Sequence, residues 1–208
     1  VTPIRRRILL MALGVVAALL IATQLLLPGF AAGKIESRLT RNGGEAQATV
    51  RSTPALRLLF GDGDRLSVKA TAVVLDLDTA RDRPFERIDG FSHVDISVRD
   101  SRGGPLRIDA MTLVREGSEP YRFKWHGSVS LADAAAFGAG GLGPLAAIAA
   151  GLAAGSVPNA GRPLPIDVDM GLESEDGRLK VVSGGGTIAG VPTGPLAVLL
   201  TNAIAVRL

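Results

Sequence analysis

Two histidines, His93 and His126, are the residues best suited to acid–base work near neutral pH. Each falls on the polar side of an alternating segment, His93 beside Asp95 and His126 beside Lys124. That placement predicts solvated surface histidines, and a zinc site would need further ligands at recognisable spacing. Asp62 and Asp64 sit in a short turn, and Asp76 and Asp78 end the following segment. Paired carboxylates can hold calcium, but no bidentate glutamate follows at the spacing of a calcium loop, so turn chemistry is the expectation. Gly184-Gly185-Gly186 lacks the Gly-Lys-Ser/Thr of a phosphate loop, and no serine stands in a Gly-x-Ser-x-Gly elbow. The chain has no cysteine, which removes disulfides, thiolate ligands and a thiol nucleophile. No catalytic residue, metal ligand or cofactor is expected, and the chain does not read as an enzyme.

Apolar side chains gather instead. Leu56, Leu58, Leu59 and Phe60 crowd a short segment after Pro54. Tyr121, Phe123 and Trp125 share one side of an alternating run. Leu145, Ile148 and Leu152 recur at i, i+3 and i+7 within an uncharged Gly/Ala-rich tract, as one face of a helix would. Ordinary core is the plain interpretation of each group. The functional one is an apolar groove for lipid tails, lined by Leu56, Leu59, Phe60, Phe123, Trp125, Leu145, Ile148 and Leu152, with Arg57 meeting a phosphate at its mouth.

The elements that would position these residues are mostly strands. Alternation over Glu45–Ser52, Phe91–Arg99, Tyr121–His126 and Ile166–Leu172, with turn-rich links, predicts an antiparallel meander. The phase change between Leu66 and Leu77 predicts a bulge or a strand buried on both faces, and a second phase shift falls near Ala110-Met111. Pro54 opens a short helix closed by Gly61, and Asn42-Gly43-Gly44 ends an earlier one that runs to Leu39. Further helices are expected from Ser130, over Gly138–Gly155 and from Pro195, with a Gly/Ala-rich stretch at 138–165.

The first 29 residues read differently. Ile8–Leu27 is an uncharged run of 27 − 8 + 1 = 20 residues behind Arg5, Arg6 and Arg7, the length of a membrane-spanning helix. The expectation is an N-terminal transmembrane anchor or signal segment over 1–29 and an extracytoplasmic, lipid-binding-like domain over 30–208. The location follows: a single-pass cell-membrane protein, or a secreted one if the segment is cleaved. Removing those three arginines from 23 Lys+Arg leaves 20 against 20 Asp+Glu, so the net charge of +3 belongs to the N-terminus. With no basic run elsewhere, nucleic acid is not an expected partner.

The order of segments resembles the LmeA-like phospholipid-binding family of bacterial envelope proteins. The carrying residues are Leu27-Pro28-Gly29-Phe30-Ala31-Ala32 and the helix to Leu39, then strand Ala46–Ser52. After them come Pro54-Ala55-Leu56-Arg57-Leu58-Leu59-Phe60-Gly61 and strand Leu66–Ala72, and more loosely Ile88-Asp89-Gly90-Phe91 onward. Ser52-Thr53 stands where the family has Gly-Phe. The resemblance implies an α+β fold: an N-terminal membrane helix, then a curved antiparallel sheet packed against helices, like tubular lipid-binding domains. It implies phospholipid and membrane as partners and a role in envelope lipid or lipoglycan assembly. The alternative is a non-catalytic structural or adaptor protein with an envelope protein partner.

Overall fold

The computed structural model describes residues 3–75, 85–104, 106–130, 162–188 and 191–192, with side chains from Ile21 onward. Helix α1 (Pro3–Leu39) leads into strands β1 (Glu45–Arg51), β2 (Gly63–Thr71), β3 (Val74–Leu75), β4 (Phe91–Gly103) and β5 (Leu106–Glu116). Strands β6 (Tyr121–Val129), β7 (Leu164–Glu175), β8 (Arg178–Ile188) and β9 (Val191–Pro192) follow, and a 3-10 helix (Ala55–Phe60) joins β1 to β2. The nine strands of the described residues form one sheet in the order β1-β2-β4-β5-β6-β7-β8-β9, with β3 beside β4.

Period-two alternation puts the core on one face of this sheet. In β6, Tyr121, Phe123, Trp125 and Val129 are buried while Arg122, Lys124 and His126 point outward. Register aligns the buried rows: Trp125 pairs with Met111 and Val168, and Phe123 with Leu113 and Met170.

Several expectations change. The sheet is mixed rather than an antiparallel meander, because β2 and β4 run parallel, Leu66 opposite Val94 and Ala70 opposite Val98. A parallel pair needs a return connection, which a hairpin turn cannot supply. The phase change after Ala70 is a break and not a bulge. Ala72 takes a left-handed φ of 55°, and the chain resumes as β3 along β4, with Val73 and Leu75 buried on the other parity. The shift near Ala110 is the expected irregularity, between Ile108 and Ala110. The helices expected from Ser130, over Gly138–Gly155 and from Pro195 lie outside the described residues.

Among the described residues no helix is long and apolar enough to cross a membrane. That overturns the expected membrane-spanning N-terminal helix and the single-pass cell-membrane location; the α+β fold gives way to a large mixed sheet with α1 along its β1 edge. The physical reason is visible at the end of the apolar run. Thr23, Gln24, Leu27, Pro28, Ala31, Ala32, Ile35, Glu36 and Leu39 form a half-buried stripe at helical spacing. Ala31, Ala32, Ile35 and Leu39 pack on the core, and Gln24 bonds to the backbone after β1. The end of the run is therefore part of the folded domain, and what remains, Ile8–Ala22, is shorter than the roughly 20 residues a span requires. Glu36 Oε1 also accepts the Ala48 N–H at 2.7 Å, capping a donor on edge strand β1.

Candidate functional site

The link between β1 and β2 is held firmly yet presents apolar side chains outward. Gln24 of α1 donates from Nε2 to the Ser52 carbonyl at 2.8 Å and accepts the Ala55 N–H on Oε1 at 2.6 Å. Asp64 accepts the Thr53 N–H at 2.7 Å and pairs with Arg57 Nη1 at 3.1 Å. Gly61, at φ 83°, closes the turn and donates to the Leu58 carbonyl. Three residues per turn put Ala55 and Leu58 on the inner side, Ala55 fully buried and Leu58 against the core. Leu59 and Phe60 are left facing out, 64% and 83% exposed.

The adjoining stretch of α1 is similar. Ile21, Leu25, Leu26 and Phe30 lie on the face away from the sheet and are all exposed. Of the nine large exposed hydrophobics among the described residues, seven belong to α1 and the 3-10 helix, with only Val74 and Val182 elsewhere. Isolated exposed apolar residues are ordinary, but a concentrated set marks an interaction surface.

At the root of the β1–β2 link, Arg51 and Arg65 are direct cross-strand partners on the sheet face opposite α1, both exposed. The row continues through His93, whose Nε2 lies 3.2 Å from Glu116 Oε2 and whose Nδ1 lies 3.2 Å from the Asp64 carbonyl.

The expected lining residues therefore separate. Leu56, Arg57, Leu59 and Phe60 sit on the β1–β2 link, Leu56 and Arg57 partly exposed. Phe123 and Trp125 are core residues of β6, 1% and 2% exposed, with β4 and β5 between them and β2 in the sheet. Trp125 Nε1 has no hydrogen-bond partner among the described residues. Leu145, Ile148 and Leu152 lie outside the described residues. The structure does not bring the two described groups into one groove.

A concavity of about 730 Å³, open to solvent, crosses β5 to β8 and touches Lys124, His126, Asp167, Asp169, Gly185 and Thr187. Register places His126 opposite Asp167 and Lys124 opposite Asp169, and both pairs close, at 2.5 and 2.9 Å. The hydrogen bond to Asp167, then its charge, raises the His126 pKa above its ordinary value. The two histidines thus stand on different strands, each with its own acidic partner. Among the described residues no group of three or more His, Asp or Glu is arranged to hold a metal ion.

One polar cluster escaped the sequence reading. Asp89, just before β4, accepts from the Tyr121 hydroxyl at 2.9 Å and from the Ser174 hydroxyl, and lies 3.5 Å from Arg115 Nη1. Arg115 sits 4.5 Å over the Tyr121 ring, whose other contact is a stacked Phe85 at 4.6 Å. Arg115 Nη2 donates to the carbonyls of Asp89 and Phe91. Burial first, then the Asp89 charge, pushes the Tyr121 pKa far above its ordinary value of 10.0. A signal was present: after the shift at Ile108/Ala110 the buried parity of β5 runs Met111, Leu113, Arg115, which puts an arginine on the core face. Such an arginine demands an acid.

Comparison with protein-family models, with curated proteins and with solved structures found no match.

Proposed function

We propose that the protein is a non-catalytic binding module that docks on a phospholipid surface through the wedge formed by Leu59, Phe60 and the exposed face of α1 from Ile21 to Phe30. The concentration of seven exposed large hydrophobics in those two elements carries the reading. Their chemistry favours lipid over protein. They are Leu, Ile and Phe without a hydrogen-bonding tip, whereas protein hot spots favour Trp, Tyr and Arg in desolvated pockets. Surface-bound elements combine Leu and Phe on one side with cations beside them, as here with Arg51 and Arg65. A wedge held by Gln24 and Asp64 needs little ordering on contact, so less of the transfer free energy is lost to entropy.

The chain's lack of cysteine makes the test site-specific. A Leu59→Cys variant of the full chain carries an environment-sensitive fluorophore and is mixed with phosphatidylcholine vesicles. The emission should shift blue, while the same label at Thr112→Cys, on the outward side of β5, should not respond. An unchanged signal at position 59 in vesicle-bound protein would sink the proposal. Specific crosslinks from position 59 to a protein, without a lipid response, would favour the adaptor alternative.

A further inference from the structure

We propose that Arg51 and Arg65 form a seat for the phosphate of anionic phospholipid headgroups, so that the wedge prefers negatively charged lipid surfaces. The inference rests on the surface-docking reading and adds the class of lipid. Arg51 and Arg65 are paired Cα to Cα in an antiparallel ladder, and strict alternation points both side chains to the outward face, since Val50 and Leu66 beside them are buried. Like charges directly opposite across two strands repel. Among the described residues no acid closes an ion pair with either arginine, and Asp95, diagonal to Arg65 on the outward face of β4, stays beyond ion-pair distance. Asp64, the nearest acid in sequence, is held by Arg57 and the Thr53 N–H, and Glu116, at the end of the same row, lies against His93.

Two unpaired guanidinium groups held side by side suit one anion. Each is a planar fork of donors whose geometry matches phosphate oxygens. Their place in the chain fits a headgroup as opposed to an acyl chain. Arg51 ends β1 and Arg65 lies at the start of β2, so both sit at the root of the link that carries Leu59 and Phe60 outward. With those side chains in the apolar layer, the arginines stand at the level of the phosphates.

The test compares the full-length wild type with an Arg51→Gln/Arg65→Gln variant on phosphatidylcholine vesicles with and without phosphatidylglycerol. Each surface cation near an anionic leaflet contributes about fivefold to partitioning, so the double variant should bind mixed vesicles about 30-fold less tightly and pure phosphatidylcholine unchanged. An Arg99→Gln/Arg102→Gln variant removes the same charge toward the other end of β4 and should lose far less. Equal losses for the two double variants, or none for either, would overturn the seat while leaving surface docking intact. A silent label at position 59 on every vesicle is the separate failure that removes the docking reading itself. Inorganic phosphate, at ionic strength matched with chloride, supplies the last arm. If it protects the arginines from a guanidine-modifying reagent while the variant still prefers phosphatidylglycerol as strongly as wild type, the seat serves free phosphate and the lipid assignment falls.

Discussion

Replacing Asp89 with alanine should cost about 2–3 kcal/mol of folding stability, far more than any other single acid on the described surface. The carboxylate receives the hydroxyls of Tyr121 and Ser174 and faces Arg115, whose side chain is 13% exposed. Removing one partner of a buried ion pair costs about 3–5 kcal/mol, because the remaining charge is stranded in low dielectric. Two features reduce that figure here. The Asp89 side chain is itself 28% exposed, so water can enter, and Arg115 keeps its bonds to the carbonyls of residues 89 and 91. Asp64→Ala is the comparison: its bridge to Arg57 is 41% and 44% exposed, and such pairs are worth about 0–1 kcal/mol. Urea unfolding followed by circular dichroism measures both. With a slope of about 1–3 kcal/mol per molar urea, the Asp89 variant should lose on the order of 1 M or more in its midpoint, and the Asp64 variant much less. If Asp89→Ala stays within about 0.5 kcal/mol of wild type, or Asp64→Ala costs as much, the idea that this cluster clamps β5, β6 and β7 at one end of the sheet is wrong.

Two further outcomes depend on titration. Tyr121 is the only tyrosine, so phenolate absorbance in an alkaline titration reports on it alone. Its raised pKa means that the fold favours the neutral phenol, so the contribution to stability is complete below pH 10 and declines above it. No phenolate should appear until the protein unfolds, and a reversible transition near pH 10 with unchanged circular dichroism would refute the burial argument. His126 is raised by Asp167, so its contribution is present below pH 6.5 and is lost as pH rises through the folded pKa. Proton NMR of the two histidines should show the His126 midpoint falling in Asp167→Asn; an unmoved midpoint would mean the pair does not persist in solution.

Local pattern foretold the parts of this fold that local physics decides. Alternation in Tyr121–His126 marked which side of β6 is buried, and the Pro54–Gly61 punctuation marked the short helix, whose 3-10 type it left open. What stayed hidden depends on contacts between distant residues. The parallel pairing of β2 with β4 leaves no mark in either strand, because both alternate as antiparallel strands do. Phe123 and Phe60 looked equivalent as clustered apolar residues, yet one is core and the other solvent-facing, and only the turn geometry that sends Leu58 inward distinguishes them. Gln24 is the sharpest case. Inside the uncharged run nothing in the sequence singles it out, but its two hydrogen bonds dock the helix onto the sheet.

That docking also explains why the wedge can exist at all. Apolar side chains as exposed as Phe60 invite collapse onto the nearest greasy surface, and a flexible loop would bury them against α1. Here the alternative is blocked from both ends. Gln24 fixes the link at Ser52 and Ala55, Asp64 fixes it at Thr53 and Arg57, and Leu58 already fills the inward position. Leu59 and Phe60 have nowhere to turn without breaking bonds worth about 1 kcal/mol each, more for those to the Asp64 carboxylate. A sequence selected only for stability would place polar residues there. The rigid exposure of these two side chains is the ground for the docking surface proposed above, and the arginines at the root of the link are the ground for its proposed preference for anionic lipid.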